Sequence, residues 1–185
     1  MFSLVKKGVV NGTIKTGFVF GGKELSDFAA GNEMIQVMPF SVNNNPLEIA
    51  KNDNLISINT CLMVDLTGQI CSESLGHRQY SGTGGQMDFV LGAWLSKGGK
   101  SFLCLPSTTT GKDNTLISNI TLDLPSGAVV TTPRSFAMYV VTEYGIADLQ
   151  NKPIRHRVNE MIKIAHPDFR DSLRQEAIKA GLIRE

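Results

Sequence analysis

The sequence predicts an α/β fold. Short apolar runs alternate with stretches of helical period, glycines and prolines punctuate them closely, and one long apolar run leads through a glycine-rich turn into a helix. The 185 residues are enough for one domain with its own core, and 42% hydrophobic against 19% charged residues is ordinary for a globular chain.

The elements follow in order. Thr16 to Gly21 reads as a short strand between glycines, and Lys23 to Ala30 as a short helix stopped by Gly31. Ile35 to Met38 is a strand cut by Pro39. Asn45-Pro46 opens a second short helix, with proline at its first position. Leu55 to Leu66 carries Ile56, Ile58, Leu62 and Val64 at period two, which predicts a long, central strand. Gln69 to Cys71 continues it as a hairpin across Thr67-Gly68. After the turn Ser81-Gly82-Thr83-Gly84-Gly85-Gln86, the residues Met87, Val90, Leu91, Trp94 and Leu95 form one helical stripe that ends at Gly98-Gly99. Lys100 to Leu105 and Met138 to Thr142 are clear strands; Leu116 to Leu122 and Ala128 to Thr132 are weaker ones. Two helical stripes close the chain: Val158, Met161, Ile162 and Ala165, then Phe169, Leu173 and Ala177, with Pro167 between.

Composition excludes several classes. A net charge of +1 leaves no electrostatic footprint for nucleic acid. No apolar run approaches the ~18 residues of a membrane span. Cys61, Cys71 and Cys104 are odd in number and form no CxxC pair, against a disulfide framework or a zinc site. The expectation is a cytoplasmic protein with buried, reduced thiols.

Several residues are candidates for chemistry. Gly82, Gly84 and Gly85 stand directly before a helix, where backbone N–H groups can approach an anion or a developing oxyanion. The same spacing suits a plain helix-capping turn. Asp88 is either a catalytic carboxylate or part of the helix N-terminus. Ser107, Thr108 and Lys112 are either phosphate or pantetheine contacts or a solvated loop. Glu143, after an apolar strand, is either a nucleophile or base or a structural strand-end carboxylate, and Glu73 has the same two readings. His77 neighbours the turn, and His156 and His166 lie near helix ends; no two histidines have metal-ligand spacing, and no serine-hydrolase elbow is present.

Taken jointly, seven stretches resemble one family: Phe28–Glu33 (FAAGNE), Pro39 with Asn54–Asn59 (NLISIN), Val64–Gln69 (VDLTGQ), Ser81–Phe89 (SGTGGQMDF), Gly98–Ser101 with Leu105–Ser107, Tyr139–Ala147 (YVVTEYGIA) and Ala165–Arg170 (AHPDFR). In this order they resemble the C-terminal domain of the acetyl-CoA hydrolase/transferase family, from about Leu4 to Leu173. Gly84-Gly85-Gln86 is similar to the 4-hydroxybutyrate and butyrate CoA-transferase branch rather than to the succinyl-CoA:acetate branch, where GGSGDF is expected.

The resemblance implies an α/β domain of the NagB/RpiA/CoA-transferase-like type, residues 1–185 forming the second of two similar domains and closing with a helical pair. It implies transfer of CoA between a short-chain acyl-CoA and a carboxylate such as acetate through a glutamyl-CoA thioester, with CoA as substrate and no permanent cofactor or metal. Gly85 matches a CoA-contacting glycine and Leu62 a second CoA-contacting position; Gly84 and Gln86 are their neighbours. One departure stands out. The branch places its catalytic glutamate directly before a Met-(Phe/Ile)-Ser-Asp-Gly-Val-Val-Asp-Leu segment, whereas here Met1-Phe2-Ser3 runs straight into Leu4-Val5-Lys6. The expectation is that the glutamate and the N-terminal domain lie outside this chain, that the chain alone is inactive, and that it associates with an N-terminal half or with itself. An acyl-CoA hydrolase and a non-catalytic CoA-binding module are the alternatives.

Overall fold

The computed structural model describes residues 2–184. The first third is a string of short elements. α1 (Phe2–Lys6), β1 (Ile14–Thr16), α2 (Lys23–Ala29) and β2 (Ile35–Val37) come first, and β1 pairs in parallel with β2. The strand expected over 16–21 lies two residues earlier. The Thr16 hydroxyl donates to the Phe18 carbonyl at 2.7 Å and turns the chain, so Phe18 to Phe20 are irregular and exposed. α3 (Phe40–Asn43) was not foreseen. α4 (Pro46–Ile49) begins as expected, with the Asn45 side chain accepting the Leu47 N–H at 3.0 Å.

The predicted strand over 55–66 is two strands in two sheets. β3 (Ile56–Thr60) pairs with the later β8, and β4 (Met63–Asp65) pairs with β5 (Ile70–Cys71). The chain changes partner at one peptide. The Cys61 N–H still donates to the Cys104 carbonyl at 3.0 Å, and the next N–H, of Leu62, donates to Cys71 at 2.9 Å. Period-two alternation continues through the bend, so the pattern alone cannot reveal it. Nor is β3 central: it is the edge strand of its sheet. Asp65, fully buried, pins the β4–β5 hairpin by accepting from Thr67 N and Oγ1 at 2.8 Å and from Gln69 N at 3.0 Å.

A small hairpin of β6 (Ser74–Leu75) and β7 (Arg78–Gln79) leads to the glycine turn and α5 (Gln86–Leu95). The expected apolar stripe of α5 is only partly buried. Its buried positions are Gln86, Val90, Gly92 and Ala93, while Trp94 and Leu95 are about half exposed. α5 lies between the sheet and α4, and a Cβ on Gly92 would collide with Ile49. Close approach on two sides selects small residues, which a count of hydrophobic side chains misses.

β8 (Lys100–Cys104) follows, then β9 (Thr108–Thr110) paired with β10 (Leu116–Ser118), and β11 (Ile120–Thr121) beside β4. The single strand expected over 116–122 is divided at Ser118, whose hydroxyl donates to the Ile120 carbonyl at 2.7 Å. Residues 128–132 form no strand, only a bridge from Thr132 to Ile70. β12 (Tyr139–Thr142) and β13 (Gly145–Asp148) complete the main sheet, ordered β13-β12-β8-β3, with β3, β8 and β12 parallel and β13 antiparallel. α6 (Ile154–Ile164) and α7 (Pro167–Lys179) end the described chain.

One face of the main sheet makes the core. Leu103, Val140 and Ala147 meet Val90 of α5 and Val158 and Met161 of α6, all fully buried. Arg157 of α6 is buried with them and donates to the carbonyls of Arg134 at 2.6 Å and Thr67 at 3.1 Å, tying the helix to the β4–β5 turn.

Candidate functional site

The parallel strands β3, β8 and β12 run out at residues 60, 104 and 142 along one edge of the sheet. Ligands of α/β sheets bind at this carboxyl edge. The helix joining two parallel strands must run back antiparallel to them, so α5, between β3 and β8, starts at the same edge. The fold therefore brings the bend after β3, the loops after β8 and β12, and the glycine turn to one end of the molecule.

At the turn, Gly84 has φ +61°, a left-handed backbone that a side chain would strain. Gly85 is the N-cap of α5 at φ −99°, and among the described residues no side chain caps that end. The first N–H groups of α5 are therefore unclaimed by a cap and carry the positive end of the helix dipole. A Cβ on Gly84 meets nothing within 4 Å, whereas one on Gly85 would collide with the Asn44 amide. Asn44 donates to the Asp88 carboxylate at 3.2 Å, so Asp88 sits in the first turn of α5 and holds α3's end against it. Gly84, Gly85, Asn44 and Asp88 line a cavity of about 700 Å³ with Phe18 and Phe40.

Gln86 turns inward. Its side chain is buried and its Nε2 donates to the fully buried Thr132 hydroxyl at 2.9 Å. It anchors the turn rather than facing the cavity. Leu62, half-buried, sits in the bend between β3 and β4; among the described residues no hydrogen bond joins it to the turn.

At the end of β12, the Glu143 carboxylate accepts from Ser107 twice: from the N–H at 2.9 Å and from the hydroxyl at 2.5 Å. This links the ends of β8 and β12. Desolvation works against the charged form, but the two Ser107 donors and nearby His166 outweigh it, and the pKa lies below the ordinary glutamate value. The Tyr144 ring meets His166 edge-on at 5.5 Å, and Arg170 lies over that ring at 5.4 Å. Thr108 is half-buried in the hairpin of β9, and Lys112 is exposed in its turn.

Glu73 lies just before the turn, with its carbonyl accepting from Tyr80 and Ser81 N–H at 2.7 and 3.2 Å. Its side chain is buried, and Oε2 has no partner among the described residues. His77 packs against Gly127, not on the turn; His156 is exposed, and His166 caps α7 by accepting the Asp168 N–H at 3.3 Å. Burial, reinforced by Cys104 and Cys71, pushes the Cys61 thiol up to about 12. Among the described residues no group of three or more His, Cys, Asp or Glu is placed to hold a metal ion, and no helix is long and apolar enough to cross a membrane. Sequence reasoning missed Asn44 and Thr132. Both act by contact across more than forty residues, which no local motif signals.

The chain is 50% identical over 184 residues to the 4-hydroxybutyrate coenzyme A transferase of Clostridium kluyveri, covering 95% of this chain and 42% of the relative. It is 44% identical to the probable butyrate:acetyl-CoA coenzyme A-transferase of Syntrophomonas wolfei, covering 98% of this chain and 42% of the relative. The crystal structure of RipA from Yersinia pestis superposes with a TM-score of 0.88 at 39% identity, over 98% of this chain and 42% of that one. The chain thus spans about two fifths of the length of the relatives it matches. Residues 21–177 match the family model described as the acetyl-CoA hydrolase/transferase C-terminal domain, and the chain belongs to that family.

Proposed function

We propose that this chain is the C-terminal half of a CoA-transferase, a domain of the NagB/RpiA/CoA-transferase-like type that closes with α6 and α7. The enzyme moves CoA between a short-chain acyl-CoA (4-hydroxybutyryl-, butyryl- or acetyl-CoA) and a carboxylate such as acetate. The observation that carries this reading is the uncapped turn at Gly84-Gly85, at the carboxyl edge of the parallel strands and beside a cavity of about 700 Å³.

The chemistry follows from what this turn offers. A glutamate carboxylate, on the part of the enzyme outside this chain, attacks the acyl-CoA carbonyl, and CoA leaves as thiolate. The resulting mixed anhydride is attacked at the glutamyl carbonyl by that thiolate. The acyl group leaves as its carboxylate and glutamyl-CoA remains. The acceptor carboxylate reverses both steps. Each step puts negative charge on a carbonyl oxygen, and open N–H groups at Gly84, Gly85 and Gln86 stabilise it. Leu62 gives apolar contact to the bound CoA. The Gln86 side chain holds the turn in place through Thr132. Glu143, committed to Ser107, is left a structural role.

A second reading, an acyl-CoA hydrolase, is favoured by the family description, which spans hydrolases and transferases. One assay separates them. Acyl-CoA is mixed with this chain and the N-terminal portion of the Clostridium kluyveri relative, with and without acetate. Acetate-dependent acetyl-CoA formation supports the transferase. Thioester loss at the same rate without acetate overturns it in favour of the hydrolase.

A further inference from the structure

The main sheet is unfinished on one side. Among the described residues β3 pairs only with β8. The bonds at Leu55 and Cys61 both point to β8, so by alternation the N–H and C=O groups of Ile56, Ile58 and Thr60 point away from it, along a free edge. β1 carries a second free edge. Its Ile14 N–H and Thr16 carbonyl go to the β2 side at 2.7 and 2.8 Å, which leaves the backbone of Lys15 pointing away. Thr13, just before β1, Lys15 within it and Leu55, just before β3, line one cavity of about 380 Å³, with Met38, Ile49 and Phe89 behind it. Two parallel fragments therefore flank a gap.

The side chains agree. Parallel sheets are covered on both faces. Here α5 and α6 cover one face, and among the described residues the other is bare: Ile56 is 52% exposed, Ile58 70% and Ile146 57%, beside the stacked pair Phe102–Tyr139. A β-branched, apolar, solvent-facing edge strand is an unstable arrangement, and natural sheets protect such edges.

We propose that the gap between β1 and β3 receives one extended, apolar segment of about five residues, matching the length of β3, from the portion of the enzyme that the relatives possess beyond this region. The occupant follows from length, because the matched region is only 42% of those relatives. Insertion by strand addition joins β2-β1 and β3-β8-β12-β13 into one sheet, satisfies both free edges, and brings the rest of that portion over Ile58, Phe102 and Tyr139. The segment lies between two strands, so its side chains face the core and the bare face in alternation. It is therefore apolar at nearly every position. This rests on the reading of the chain as half of a two-domain enzyme and adds where and how the halves join.

The test is amide hydrogen exchange on the full chain, alone and after addition of the N-terminal portion of the Clostridium kluyveri relative. The expected result is at least a tenfold slowing at Ile56, Ile58 and Thr60 and at Lys15, with little change in β12. Ile58→Pro removes an N–H that β8 does not use, so it keeps the sheet and abolishes the response; Ile58→Lys does the same by charge. Circular dichroism identifies any variant that fails to fold, and Ile58→Lys then carries the test. Restored CoA transfer without slowing at β3 overturns this inference and leaves the enzyme reading intact. Slowing at β3 without transfer supports the inference and counts against the enzyme reading. Slowing that the chain produces by itself, as a concentration-dependent dimer with no response to the added portion, assigns the edge to a second copy and overturns the stated occupant.

Discussion

Replacing Gln86 by leucine tests what holds the glycine turn. The Gln86 amide and the Thr132 hydroxyl are both buried and bond at 2.9 Å. Leucine keeps the approximate volume but leaves the Thr132 hydroxyl without its donor. An unsatisfied buried polar group costs about 1–3 kcal/mol. Thr132→Val strands the Gln86 amide and costs about the same. The double substitution removes both groups, so it should be more stable than the sum of the singles by about 1–2 kcal/mol, the range expected of residues in direct contact. For a chain of this size a loss of about 2 kcal/mol lowers Tm by about 4–8 °C. Urea unfolding followed by circular dichroism measures all four proteins. Single substitutions that each cost under about 0.5 kcal/mol, or that add within about 0.3 kcal/mol, would refute the anchoring argument.

Four further outcomes are expected. Gly84→Ala strains a left-handed backbone and destabilises by about 1 kcal/mol, yet leaves the cavity open; Gly85→Ala displaces Asn44 and weakens CoA binding more, as calorimetry with CoA will read. Arg157→Met leaves the buried Thr67 carbonyl and the more accessible Arg134 carbonyl short of a donor and costs about 2–4 kcal/mol in urea unfolding, since bonds to charged groups are worth more than neutral ones. Because burial raises the Cys61 pKa to about 12, iodoacetamide at pH 8 labels Cys104 before Cys61 in the folded chain, as peptide mass spectrometry will show; the stability that Cys61 confers is complete below the free-thiol pKa of 9.0 and is lost as pH rises from there toward 12. Glu143 has a folded pKa below its ordinary value, so its link to Ser107 persists at neutral pH and is lost as pH falls through that lowered pKa; the Ser107 amide resonance should titrate there, and in Glu143→Gln it should not.

The fold was legible where a hydrophobic pattern coincides with one element. β8 and β12 announce themselves as apolar runs ending at Pro106 and at Glu143, and the stripes at Val158, Met161 and Ile162 and at Leu173 and Ala177 are buried. It was not legible where chain geometry, rather than hydrophobic pattern, decides. The change of sheet at Cys61-Leu62 leaves alternation intact. The two-sided packing of α5 favours Gly92 and Ala93 over Trp94 and Leu95. β13 carries Gly145 and Asp148, and its pairing comes from the tight turn at Glu143-Tyr144 rather than from strand composition. The glycine turn was legible as a turn opening a helix, but its spacing suits a ligand approach and a capping turn alike. Its uncapped N-terminus and adjoining cavity appear only in three dimensions.

The most direct test of the account is to locate the covalent intermediate. This chain is combined with the N-terminal portion of the Clostridium kluyveri relative, incubated with butyryl-CoA, and treated with borohydride to reduce any glutamyl-CoA thioester to the alcohol. Peptide mass spectrometry then finds the modified residue. The account predicts one modified glutamate, carried by the added portion, no modification of any residue of this chain, and no turnover by this chain alone. Reduction at Glu143 or Glu73, or acetate-dependent exchange by this chain on its own, would contradict it.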